Sequence, residues 1–114
     1  MKTYFNGFET NEITFKSPSK LVANRVVAYA SDGYLAYAEQ GGDFTGIVTS
    51  YRDGFATVVM KGHAVASYNE SLPSMGICKL APGKNGFMEA DEENGKAYTV
   101  LNVDSKTKTI EFII

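Results

Sequence analysis

The residues best equipped for chemistry are few and stand far apart along the chain. His63 is the only histidine and Cys78 the only cysteine. A Cys–His or Ser–His relay needs a base beside its nucleophile and a third group that orients the base. Nothing local supplies one. His63 sits in the alternating run His63-Ala64-Val65-Ala66, and Cys78 in Gly76-Ile77-Cys78-Lys79-Leu80. These contexts predict a strand histidine and a buried thiol acting as a small apolar group. A zinc site takes three or four Cys, His or carboxylate ligands, usually in spaced pairs, and this spacing is missing. The sharpest charge run, Asp91-Glu92-Glu93-Asn94-Gly95, has consecutive acids. A calcium loop needs them at alternate positions, so a solvated turn is expected. Gly41-Gly42 and Gly83 to Gly86 follow no phosphate-cradling pattern. No catalytic residue, cofactor or metal is expected.

The tyrosines say more. Tyr29, Tyr34, Tyr37, Tyr51 and Tyr68 flank turns or alternate with small residues. A tyrosine couples apolar area to a polar tip and is enriched where proteins meet. It is also common in half-buried strands. Together with Tyr4, Phe5 and Phe8 near the N-terminus, Tyr34, Tyr37, Tyr51 and Tyr68 form the candidate interface.

The elements that must carry these residues are strands. The chain has 114 residues, the size of one domain and enough to bury a core without disulfides. Seven Tyr, seven Phe and eleven Gly with no Trp give a β composition. Short apolar runs recur between turn signals. Arg25-Val26-Val27-Ala28-Tyr29-Ala30 turns at Ser31-Asp32-Gly33 into Tyr34-Leu35-Ala36-Tyr37-Ala38. Phe44-Thr45-Gly46-Ile47-Val48 turns at Arg52-Asp53-Gly54 into Phe55-Ala56-Thr57-Val58-Val59-Met60. An Asp-Gly between two such runs predicts a hairpin. A further strand covers residues 76–80, and a last hairpin joins 97–103 to 107–113 through Asp104-Ser105-Lys106. Two short stretches, 19–24 and 89–94, are the best helix candidates, and neither exceeds a turn or two. The expected fold is all-β: a mostly antiparallel barrel or sandwich of about eight to ten short strands. Residues 1–20 are expected to form an extended arm and residues 21–114 a single β-domain. Glu12-Ile13-Thr14-Phe15 alternates like a short strand within that arm. Val26, Ala28, Leu35, Ile47, Val58, Met60, Val65, Ile77, Leu80, Val100, Leu101, Ile110 and Phe112 are the expected core.

A weak internal echo is present. Gly33-Tyr34-Leu35 resembles Gly86-Phe87-Met88 some 53 residues on, and the run 44–60 has a counterpart in 97–113 at the same offset. A duplicated β-unit would produce this, although any two β-hairpins resemble each other.

Composition also excludes partners. The formal net charge of −2 argues against nucleic acid, which requires an excess of Lys and Arg on one face. No stretch is long and apolar enough to span a bilayer, and the N-terminus has no apolar segment of the signal-peptide kind. One cysteine cannot close an internal disulfide, which fits cytoplasmic synthesis.

Three segments together resemble a known family. The first is Phe44-Thr45-Gly46-Ile47-Val48 with Ala56-Thr57-Val58-Val59-Met60-Lys61-Gly62. The second is Leu72-Pro73-Ser74-Met75-Gly76-Ile77-Cys78-Lys79-Leu80 followed by Gly86-Phe87-Met88. The third is Tyr98-Thr99-Val100-Leu101-Asn102-Val103-Asp104 with Ile110-Glu111-Phe112-Ile113. In these the chain resembles the small β-rich proteins that decorate or cement the heads of tailed bacteriophages and also occur in prophages. The resemblance covers residues 42–114. It implies a β-barrel-like body, a homo-oligomer (often a trimer), docking on a capsid shell, a place in the virion, and no catalytic residues. A non-catalytic β-sandwich binding module, for carbohydrate for instance, is the alternative. It would gather its tyrosines in one open groove, whereas a decoration protein would place them at a seam between copies.

Overall fold

The computed structural model describes residues 11–30, 32–69 and 73–114. Ten strands follow in chain order: β1 (Asn11–Lys16), β2 (Val26–Tyr29), β3 (Leu35–Tyr37), β4 (Gly46–Arg52), β5 (Phe55–Lys61), β6 (His63–Ser67), β7 (Gly76–Pro82), β8 (Met88–Ala90), β9 (Lys96–Asp104) and β10 (Thr109–Ile113). Among the described residues the only helical element is a single 3-10 turn at Lys84–Gly86. The strands form two five-stranded antiparallel sheets packed as a sandwich rather than a closed barrel.

Both Asp-Gly pairs turn hairpins. Asp53 and Gly54 take φ of 51° and 83° between the paired residues Arg52 and Phe55. Positive φ at both central positions matches the right-handed twist of the flanking strands, and Asp-Gly tolerates it. Gly33, at φ 89°, closes the β2–β3 turn, where Ala30 N–H donates to the Tyr34 carbonyl at 2.8 Å.

The two sheets repeat one topology. The first has the order β1-β5-β4-β2-β3 and the second β6-β10-β9-β7-β8. Each strand of the first has its counterpart five places later. The sequence echo falls in register with this: Leu35 begins β3 and Met88 begins β8, each two residues after a glycine of positive φ. Each half of the chain is therefore one sheet.

The main core lies between the sheets. Val26, Ile47 and Val59 of the first sheet meet Leu80, Met88, Val100, Ile110 and Phe112 of the second. A side chain of this size, fully buried, stabilises by about 1.5–3 kcal/mol relative to exposure. The first sheet is also covered on its other face. Leu21 lies with Val27, Leu35, Val48, Ala56 and Val58 in a second apolar cluster. The β1–β2 connection thus roofs the first sheet, and Val26-Val27 and Ile47-Val48 are buried on alternate sides.

The expected core is corrected at five positions. Ile77 is 73% exposed, because β7 turns Cys78 and Leu80 inward. In a strand a shift of one residue moves every side chain to the other face. On β6 the small residues Ala64 and Ala66 are inward, leaving Val65 half-buried on the outer face. Ala28, Met60 and Leu101 are likewise only partly buried.

Candidate interaction surface

His63 and Cys78 do not meet. They lie on β6 and β7, which are three strands apart in the order β6-β10-β9-β7, or roughly 14 Å at ordinary strand spacing. They also face opposite sides. Cys78 is buried toward the core, whereas His63 Nε2 stands 3.8 Å from Glu111 Oε2 on the outer face. Asp91 turns its carboxylate onto its own loop, where Oδ1 accepts the Glu93 and Asn94 N–H groups at 3.0 Å each. The donated Asn94 N–H is the main reason its carboxyl is held below the usual range. Asp104 does the same for the last hairpin, accepting from Lys106 and Thr107. Its carboxyl is lowered, first by Thr107 and then by Lys106. Burial pushes the Tyr98 phenol up, with its ring edge-on to Phe112. Among the described residues no three His, Cys, Asp or Glu side chains converge as a metal site would require.

The tyrosines do not share one groove. Tyr68 is 4% exposed and packs in the main core. The Tyr51 hydroxyl donates to the Ser17 carbonyl at 3.2 Å, and the Tyr37 hydroxyl accepts the Val22 N–H at 3.0 Å. These two fasten the β1–β2 connection over the first sheet. Tyr34 is 38% exposed beside the β2–β3 turn, its N–H donated to Asp32 Oδ1. Tyr29 is exposed and tilts against Phe15 with ring centroids 5.5 Å apart. Tyr4, Phe5 and Phe8 lie outside the described residues.

At one end of the sandwich the halves are clamped together. Arg25 donates to the Asn85 carbonyl at 2.9 Å and places its guanidinium 3.9 Å from the Phe87 ring centroid and 5.8 Å from that of Tyr37. Gly86 permits this approach. It has φ of 78°, and a Cβ there would stand 2.6 Å from the Tyr37 ring.

The sequence does not announce the surfaces that remain open. On the outer face of the second sheet Ile77 stands beside Thr99 and Lys79. At the edge of the first sheet β1 packs neither face fully. Five of its six residues are exposed, Ile13 among them at 48%. Only β5 pairs with it among the described strands. The signal in the sequence is the alternation Glu12-Ile13-Thr14-Phe15-Lys16, but its meaning depends on knowing that this strand is an edge.

The class these features define is a two-sheet antiparallel β-sandwich built from a repeated five-strand unit. No protein-family model and no curated protein matches the chain. Among solved structures it is similar to the N base of the head fiber gp8.5 of bacteriophage phi29, with a TM-score of 0.70 at 17% identity over 93% of this chain and 94% of that one. The fold is shared over nearly the whole length of both.

Proposed function

We propose that the chain is a non-catalytic structural protein of a tailed-phage or prophage virion, which associates with its own copies and docks on the capsid shell. The observation that carries this reading is the fold shared over nearly the whole length of both chains with a phage head fiber base. The body suits the role. Two packed sheets give a stiff platform, and the polar groups best suited to catalysis are spread over different faces. In this reading the protein is made in the cytoplasm and ends on the virion. Its N-terminal arm, with Tyr4, Phe5 and Phe8, reaches a neighbouring copy or the shell, and the exposed Tyr34 belongs to the contact surface. Tyr37, Tyr51 and Tyr68 serve the fold itself. A free aromatic segment of this kind would expose apolar area that an isolated soluble protein avoids in large patches.

The experiment removes residues 1–10, stopping short of β1, and follows melting temperature, oligomer mass and co-sedimentation with heads of the phage that encodes the chain. Binding lost with an unchanged melting temperature is the expected result. Full binding and mass without the arm would remove its docking role. A full-length chain that never co-sediments with heads would remove the head-surface function.

A further inference from the structure

The free edge of β1 lacks a proline and a covering strand among the described residues. Natural edges are blunted by proline, bulges, charged side chains (lysine above all) or a covering loop, because their unpaired N–H and C=O groups template another strand. Past the register shift between Asn11 and Glu12, β1 has no proline and no further irregularity, no described residue pairs with its outer side, and its two charges, Glu12 and Lys16, are of opposite sign and so can be matched by a second copy. Its hydrogen-bonding phase is fixed. Ser17 N–H donates inward to the Gly54 carbonyl at 2.8 Å. By alternation Phe15 and Ile13 also point their backbone groups at β5, leaving Glu12, Thr14 and Lys16 with theirs outward.

We propose that this edge pairs with the same edge of a second copy, antiparallel, with Thr14 opposite Thr14 on a two-fold axis. The proposal rests on the self-association read above and assigns it a surface. Two copies of β1 can hydrogen-bond only in registers that set outward-facing residues opposite each other. Centring on Thr14 is the register that uses all three: Thr14 with Thr14, Glu12 with Lys16, and Lys16 with Glu12. In it each carboxylate faces an ammonium of the other copy, the favourable cross-strand arrangement. The next registers, centred on Ile13 or Phe15, set Glu12 or Lys16 opposite Thr14 and lose both charge pairs.

The other face agrees. Ile13 and Phe15 lie beside Val58 and Ala56 on the apolar cluster side. In the same register Ile13 falls opposite Phe15 of the second copy, at a non-hydrogen-bonded position where side chains approach most closely. That contact covers Ile13, half-exposed in the single chain, and carries the apolar stripe unbroken from one copy to the next. The contact is isologous and closes on itself, so it makes a dimer and not a fibre.

The test uses charge exchange in the full chain, read by sedimentation velocity at low salt. E12K sets a lysine opposite Lys16 of the other copy, and K16E sets a glutamate opposite Glu12. Each variant alone should associate at least tenfold more weakly than the parent. An equimolar mixture should recover the dimer, because every cross-strand pair then joins a lysine to a glutamate. Thr14→Pro removes an outward N–H that β5 does not use, so it should give a monomer with little change in melting temperature. A parent chain that runs as a monomer or a trimer, or a mixture no tighter than its components, overturns the pairing. Head binding by a monomeric parent would sink the pairing and leave the head function standing. A dimer that obeys the charge exchange but ignores heads would do the reverse.

Discussion

Ile77 and Ile110 show how position in the pleat outranks residue type. Both are isoleucines on strands of the second sheet, yet one is 73% exposed and the other fully buried. Ile110→Ala should cost about 2–5 kcal/mol, the range for emptying a packed core site. Ile77→Ala should stay within about 0.5 kcal/mol in the isolated chain. Chemical denaturation of the two variants checks both figures. Equal costs would mean that β7 runs one residue out of the register described. The sequence does not separate the pair, because Gly76-Ile77-Cys78-Lys79-Leu80 is apolar at three of five positions. The choice of Cys78 and Leu80 for the inner face falls to the pairing of β7 with β9.

At the scale of elements, turns and clamps hold strands in place. Asp91 and Asp104 each accept two backbone N–H groups, which favour the ionised form and lower both acids. A carboxyl lowered by folding contributes its stability in full above its unfolded value, about 3.9. It loses that contribution as the pH falls through the folded value. Acid unfolding should therefore gain a limb below about pH 4, and the D91N/D104N double variant should flatten it, since an amide oxygen still accepts but does not titrate. A pH titration of melting temperature reads this directly. The Arg25 clamp makes a second element-scale case. Its ring contact and hydrogen bond join the segment before β2 to the 3-10 turn before β8. Arg25→Ala should lower stability by about 1–2 kcal/mol. Arg25→Lys should recover only part, because a lysine cannot stack a planar group on Phe87 while donating to Asn85. A thermal melt of the three chains distinguishes these outcomes.

For the whole molecule, the repeat predicts dependence between halves and not independence. Each half is a complete five-strand sheet, but the main core draws on both. Val26, Ile47 and Val59 come from the first half, and Leu80, Val100, Ile110 and Phe112 from the second. Residues 63–114 alone would expose most of that cluster. Expressed separately, this half should give the spectrum of an unfolded or aggregated chain, and a mixture with residues 1–62 should recover β-structure. A half that melts cooperatively by itself would contradict the shared core.

The sequence by itself determined the all-β class, a count of about eight to ten short strands and both Asp-Gly hairpins. These follow from local causes: alternation within short runs, and turn residues that accept positive φ. The repeat was visible only as the echo of Gly33-Tyr34-Leu35 in Gly86-Phe87-Met88 and of the run 44–60 in 97–113, since two units can keep a topology after losing most shared residues. Tertiary structure alone decided the rest. Tyr37 and Tyr51 spend their hydroxyls on a loop that roofs the first sheet, and Tyr68 is buried. The strand Glu12 to Phe15 was legible, but its position at an edge was not. Which strand ends a sheet depends on pairings between residues some forty to fifty positions apart, and no local pattern encodes them.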